Sequence, residues 1–312
     1  MINGYIYSFF TRADEKKRSA RRAVHHRQVN WFVEHTALHL FILAMNYDEE
    51  DFQREHEAAG RVTYLITEPM KANQARFIGF NHFYASDADW AVMLDNDSTL
   101  YSGPQHNSGA KFFAEMDAQI GAYRDVDFFY PLNPAVMGFS ATYAKDPELY
   151  RDNHVFDRGV SMKGSMFFVR NFRKAGQTEC WPDPTYEFMD DNKLAIDAIA
   201  KGKKVYQCKN IILKEEGLSS SSFSTDPKVR IANMIEPCKR LEAEYGHLGL
   251  CVKPSAAHNL EYRNFYKSCW HSPKRVIIAK DEAKRREEQP LFAWGATLPV
   301  EAPQKPAGAH PA

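Results

Sequence analysis

Two acids one residue apart, Asp95 and Asp97, close the apolar run Trp90-Ala91-Val92-Met93-Leu94. In open α/β sheets ligands bind beyond the carboxyl ends of the strands, and these acids lie at such an end. Carboxylates at i and i+2 in a turn can both reach one hard divalent cation through oxygen. A cation held there would bridge the two phosphates of a nucleotide and neutralise charge as they leave. The same pair also reads as an Asx-turn ending a strand. Arg76, one helix upstream, falls near the same sheet edge and suits bidentate phosphate recognition; a solvated helix face is its other reading. Asp190 and Asp191 open a helix that Gly202 closes. Acids there gain from the helix dipole, or one of them faces the leaving group as a general base. His247, in Glu-Tyr-Gly-His, is a candidate third metal ligand, with His258 and His271 behind it. The pair His25-His26 reads as part of a solvated basic face.

The elements that must position these groups follow from periodicity. Strands are expected at 4–10, 38–45, 61–67, 90–94, 126–132, 165–169 and 203–208, where aromatic and β-branched residues gather. Helices are expected from Asp14, a plausible N-cap, to His35, and at 48–60, 71–86, 110–123, 189–202 and 227–246, the last interrupted near Pro237. Strands alternating with helices over the first hundred residues imply βαβ units and a mostly parallel sheet. Residues 102–109 and 217–225 read as loops. The latter carries Ser219 to Ser222, either an ordinary polar loop or a lid that excludes water. The Pro/Ala-rich tail at 295–312 cannot build a core and is expected to be disordered.

The 312 residues carry 40 basic and 40 acidic side chains and are 44% hydrophobic, enough for one large core or two small ones. Balanced charge argues against a protein that coats nucleic acid non-specifically. Five cysteines without a C-x-x-C pair are expected to be reduced thiols of a cytoplasmic protein. The start of the chain lacks a basic segment before its short apolar stretch, so no secretory leader is expected. No run approaches the length of a membrane span.

Taken in order, these motifs resemble the GT-A glycosyltransferases, in particular the large inverting family two. The first strand ends in Thr11-Arg12. An A-R-x-x-G element, Ala75, Arg76 and Gly79, precedes the D-x-D. A strand runs from Gly164 to Arg170. An E-D-x-x-L-like pattern, Asp190-Asp191-Asn192-Lys193-Leu194, is followed by Gly202. Departures are Asp190 where the family has Glu, Phe77 for Asn, Asp197 for Arg, and a longer spacing from Gly79 to Asp95. The match spans roughly residues 2–225.

The resemblance implies a GT-A, Rossmann-like α/β fold in one domain. Residues 1–100 would bind the nucleotide-sugar, 101–226 the acceptor, and 227–290 would form a C-terminal helical extension. Asp95 and Asp97 would hold Mn²⁺ or Mg²⁺. Thr11, Arg12, Arg76 and Asn96 would line the nucleotide, a UDP-sugar by preference, and Asn46 or Asp48 would contact its base. Asp191, with Asp190 beside it, would deprotonate the acceptor hydroxyl.

A narrower resemblance, to phage-type TET-associated glycosyltransferases, rests on "VMLDND", compact size and the "GLSSSSF" loop. It implies DNA bearing 5-hydroxymethylpyrimidine as acceptor. Lys16, Lys17, Arg18, Arg21, Arg22 and Arg27 would track phosphates. Tyr262, Phe265, Tyr266 and Trp270 would either stack on an extruded base or pack on the core. A surface glycan or protein acceptor, or a nucleotide- or DNA-binding module without catalysis, remain alternatives.

Overall fold

The structure, a computed structural model, describes residues 1–10, 15–46, 57, 60–66, 70–96, 98–102, 107–132, 146–159, 165–215, 227–252 and 264–281. Among these the chain is a mixed α/β protein with a large central sheet flanked by helices. The N-terminal part alternates strands and helices: β1 (Ile2–Phe9), α1 (Glu15–His35), β2 (His39–Met45), β3 (Val62–Ile66), α2 (Ala72–Ala85) and β4 (Trp90–Asp95). The remainder comprises β5 (Ser98–Ser102), β6 (Asn107–Ser108), α3 (Ala110–Gln119), β7 (Phe128–Leu132), α4 (Pro147–Asp152), β8 (Asn153–Arg158), β9 (Met166–Arg170), α5 (Asp190–Ala200), β10 (Val205–Glu215), α6 (Pro227–Tyr245), α7 (Phe265–Cys269) and β11 (Arg275–Ala279).

The sheet runs β11-β8-β10-β7-β9-β4-β1-β2-β3, with β5 pairing β10 and β6. All ladders among β1, β2, β3 and β4 are parallel. Beyond β4 the sheet is mixed: β9 lies antiparallel between β4 and β7, and β7 and β10 are parallel. Side chains alternate across a strand. Tyr5, Tyr7, Leu43, Met45, Ala91 and Met93 therefore enter one core, under α2, α5 and α6. Ile2, Ile6, Leu40, Ile42, Val92 and Leu94 enter the other, under α1 and α3. Strands buried on both faces need the near-continuous apolar runs seen at 38–45 and 90–94.

Most expected elements are present within a residue or two. The helix expected at 48–60 lies outside the described residues apart from Glu57 and Gly60, as do Ser219 to Ser222, His258, Tyr262 and the tail at 295–312. Four strands are additional: β5, β6, β8 and β11; β6 (Asn107–Ser108) lies in the stretch expected to be a loop and pairs with β5. β11 pairs with β8, so the segment expected to be a helical extension also adds an edge strand. Pro237 does not interrupt α6, which runs through it as one helix.

The basic and aromatic segments are more buried than their composition suggests. α1 is only partly a solvated basic face: Lys16, Lys17 and Arg27 are exposed, but Arg18, Arg21, His25 and Gln28 are buried. His25 is fully enclosed, its Nδ1 2.7 Å from Ser8 Oγ. Phe265 and Trp270 are core residues, and Tyr266 packs against the same cluster, so the packing reading of that aromatic stretch holds. All five cysteines are free thiols. Among the described residues no helix is long and apolar enough to cross a membrane.

Candidate active site

Parallel register brings the carboxyl ends of three strands to one edge. Phe9 is level with Met45, and Tyr7 with Asp95. Phe10 N–H donates to Met45 O at 3.1 Å, which joins the ends of β1 and β2. Asn46 then turns out of β2 in the left-handed region, φ 53°, a conformation that Asn adopts more readily than most residues. Thr11 and Arg12 follow Phe10, and Asp48 follows Asn46; all three lie outside the described residues.

α2 starts at the same edge, because a right-handed crossover returns the chain to the sheet from the strand ends. Its first turns present Arg76, which is 8% exposed. Arg76 Nη1 donates to Asp190 Oδ2 in a close ion pair, and Nη2 reaches Asp95 Oδ1 at 3.4 Å. One guanidinium thus joins the acid at the end of β4 to the acid that opens α5, 95 positions later in the sequence. Burial works against a charge on Arg76, but Asp190, Asp95 and Asp191 outweigh it and hold the guanidinium protonated.

Gly79 makes this geometry possible. A Cβ there would overlap Tyr7 Oη. That hydroxyl instead lies under the helix and donates to Met93 Sδ at 3.2 Å. Burial pushes the Tyr7 phenol far up, with Arg76 opposing and Asp95 and Asp190 adding to the effect. The glycine of the A-R-x-x-G element therefore sets how closely α2 approaches β1.

α5 is aimed by a strained residue. Met189, immediately before Asp190, has φ 63°. A buried side chain of this size in the left-handed region costs on the order of 1 kcal/mol. It persists because Met189 O accepts the Lys193 N–H at 2.8 Å and the side chain is buried in the core. Asp191 Oδ1 accepts from Asn192 N–H at 2.8 Å and Asn192 Nδ2 at 3.0 Å. Lys193 anchors the next turn to α6, donating to Glu244 Oε1 and Tyr245 Oη, each at 2.6 Å. Asp197, where the resembled family has Arg, accepts from Tyr245 Oη at 3.0 Å and pairs with Lys201 at 2.7 Å.

The acid turn is also held from behind. Gln28 Nε2 of α1 donates to Asp95 O and Ser98 O, both at 2.8 Å. Arg21 Nη1 donates to Asn96 Oδ1 at 2.8 Å, and Asn96 is 3% exposed. Asn96 therefore faces α1. Sequence reading gave Arg21 only a phosphate-tracking role and missed Gln28. Their signal was the spacing 18, 21, 25, 28, 32, a helical stripe written in polar residues except for Phe32.

Asp95, with its side chain 36% exposed, is a hard oxygen donor at the sheet edge and suits Mn²⁺ or Mg²⁺ by type. Asp97 lies outside the described residues. Among the described residues, no three His, Cys, Asp or Glu side chains gather to form a metal cluster. His247 is exposed, in the short 3₁₀ turn (Gly246–Leu248) after α6. The structure thus brings together Arg76, Asp95 and Asp190, with Asp191 adjacent.

No protein-family model matches the chain, and no curated protein matches it. Among solved structures, GalNAc-T7 crystallised with UDP, GalNAc and Mn²⁺ aligns at 12% identity and TM-score 0.49, over 79% of this chain and 50% of that one. S. aureus TarS 1-349 aligns at 6% identity and TM-score 0.41, over 77% and 65%. A second S. aureus TarS structure aligns at 7% and 0.42, over 77% and 39%. The chain spans half to two thirds of the first two proteins and less of the third. The architecture described above rests on the strand order itself and not on these likenesses.

Proposed function

We propose that the chain is a GT-A glycosyltransferase that moves a sugar from a nucleotide-sugar to an acceptor hydroxyl with inversion. The supporting observation is the Asp95–Arg76–Asp190 bridge, which joins the end of β4 to the start of α5 beyond the strand ends. Asp95 and Asp97 hold Mn²⁺ or Mg²⁺, with His247 the candidate third ligand. When bound, the ion neutralises the diphosphate as it departs.

In this reading Arg76 keeps the two acids apart at a fixed spacing and offers positive charge to the diphosphate. Thr11, Arg12, Asn46 and Asp48, which flank the same strand ends, line the nucleotide. Asp190 is committed to Arg76, so Asp191 is the base. The acceptor oxygen bonds to the anomeric carbon as the bond from that carbon to the diphosphate oxygen breaks, and the acceptor proton passes to Asp191. One displacement inverts the carbon.

DNA bearing 5-hydroxymethylpyrimidine remains the leading acceptor. It rests on the narrower sequence resemblance alone, because α1 buries part of the basic run that was expected to track phosphates. A glycan or protein acceptor is the second reading. Incubation with UDP-sugars and Mn²⁺, with hydroxymethylated or unmodified DNA, separates them. A mass increase of one sugar on the modified nucleoside alone supports the DNA acceptor. UDP release without any DNA adduct redirects the search to glycans and proteins. Neither product, with no UDP-sugar hydrolysis, contradicts the glycosyltransferase reading.

A further inference from the structure

We infer that α1 is a clamp on the junction of β4 and β5, with Gln28 and Arg21 as positioning residues for Asp95 as a cation ligand. The inference rests on the glycosyltransferase reading for the cation, but the clamp itself is visible without it. Gln28 Nε2 donates at 2.8 Å to the carbonyls of Asp95, the last residue of β4, and Ser98, the first of β5. A single side-chain amide therefore fixes the distance between these two strand ends. Arg21 Nη1 takes Asn96 Oδ1 at 2.8 Å and holds that residue against α1. On the other side, Asp95 N–H donates to Ser165 O at 2.9 Å, tying the end of β4 to the residue before β9. Asp95 is thus fixed at its N–H, its carbonyl and, through Arg76, its carboxylate.

The burial of these groups makes the contacts stiff. Gln28, Asn96 and Ser98 are each 3% exposed and Arg21 is 7% exposed. Water cannot readily replace a donor lost there. Asn96 is turned inward to Arg21. Asp95, the neighbour of Asn96, keeps its carboxylate on the side of Arg76, 36% exposed. Groups behind a ligand orient it, and their loss weakens metal binding by about 10–100-fold in known sites.

Two readouts on full-length protein test this. Hydrogen exchange followed by mass spectrometry reads the clamp: Gln28→Met exposes the amides of residues 95–102 to faster exchange, while exchange in α5 and α6 stays as in the parent. Unchanged exchange at 95–102 overturns the clamp. Electron paramagnetic resonance of free Mn²⁺ reads its purpose: Gln28→Met and Arg21→Met weaken Mn²⁺ binding by about 10–100-fold, and Arg21→Lys, which retains a donor, restores most of it. Parent-like Mn²⁺ affinity in both methionine variants overturns the positioning role. If the parent itself binds no Mn²⁺, the metal reading fails and the exchange result alone decides whether α1 clamps the junction. Should Gln28→Met not fold, Arg21→Met and Arg21→Lys carry both readouts.

Discussion

The cluster at the strand ends and the cluster at the far edge of the sheet handle buried polarity in opposite ways. At the strand ends, Arg76 is charged and meets Asp190 and Asp95. At the far edge, His154 of β8 is fully enclosed against Phe112 and Tyr123, and neither ring nitrogen has a hydrogen-bond partner among the described residues. Glu115 Oε2 of α3 is 3.6 Å from His154 Nε2, and Lys280, beyond β11, is 3.8 Å from the same carboxylate. Burial, and then Lys280, push the His154 imidazole down to about 3, so it is neutral. Acids gathered at the end of a sheet by a buried, charged Arg are costly to maintain and, at Asp95, partly exposed. A neutral enclosed imidazole offers no ligand anything. The first arrangement is the one expected of chemistry and the second of packing.

The comparison breaks most visibly at Asp191. Asp191→Asn removes the base and leaves the Arg76 bridge, so transfer falls by about 10²–10⁴-fold, while UDP binding by calorimetry and the urea midpoint stay at parent values. Unchanged turnover would reassign Asp191 to capping α5. Arg76→Met is next. It leaves two carboxylates facing each other without a cation, and urea unfolding should lose about 2–3 kcal/mol, less than a fully buried pair because Asp95 is partly exposed. Donor binding falls with it.

The far edge supplies the pH test. The unfolded chain binds the His154 proton below about pH 6.5 and the folded chain only near 3. Between these values the unfolded state therefore holds more protons. The contribution of His154 is complete above pH 6.5 and is lost progressively as pH falls toward 3, reaching about 2 kcal/mol at pH 5. Denaturant curves across that range should show the loss, and His154→Phe should flatten it without touching turnover at neutral pH. A parallel loss in the variant would place the acid sensitivity elsewhere. Smallest is Gly79→Ala. Helix propensity gains from the change, but the new Cβ overlaps Tyr7 Oη. The net cost should be about 1 kcal/mol, relieved in the Gly79→Ala/Tyr7→Phe double variant.

These two regions also differ in how legible they were in the sequence. The parallel half was readable because strands buried on both faces are apolar runs, and both acidic motifs were visible by spacing. The far edge was not. β8, "NHVFDR", buries only His154, Val155 and Phe156, and β11, "RVIIA", buries only Ile278. Short edge strands with few buried residues carry little alternation. The role of Arg76 as a bridge was equally invisible, since an ion pair across 114 positions has no local signature. Helix α1 misled for a third reason. Its buried stripe is written in Arg, His and Gln, residue types whose usual place is the surface.

A crystal structure of the protein with UDP and Mn²⁺ tests the central claim most directly. The account predicts the diphosphate beyond the carboxyl end of β4, in contact with Arg76, with the ion on Asp95 and Asp190 and Asp191 across from it. A diphosphate bound elsewhere, or none at saturating UDP and Mn²⁺ with the Asp95–Arg76–Asp190 bridge intact, would contradict it.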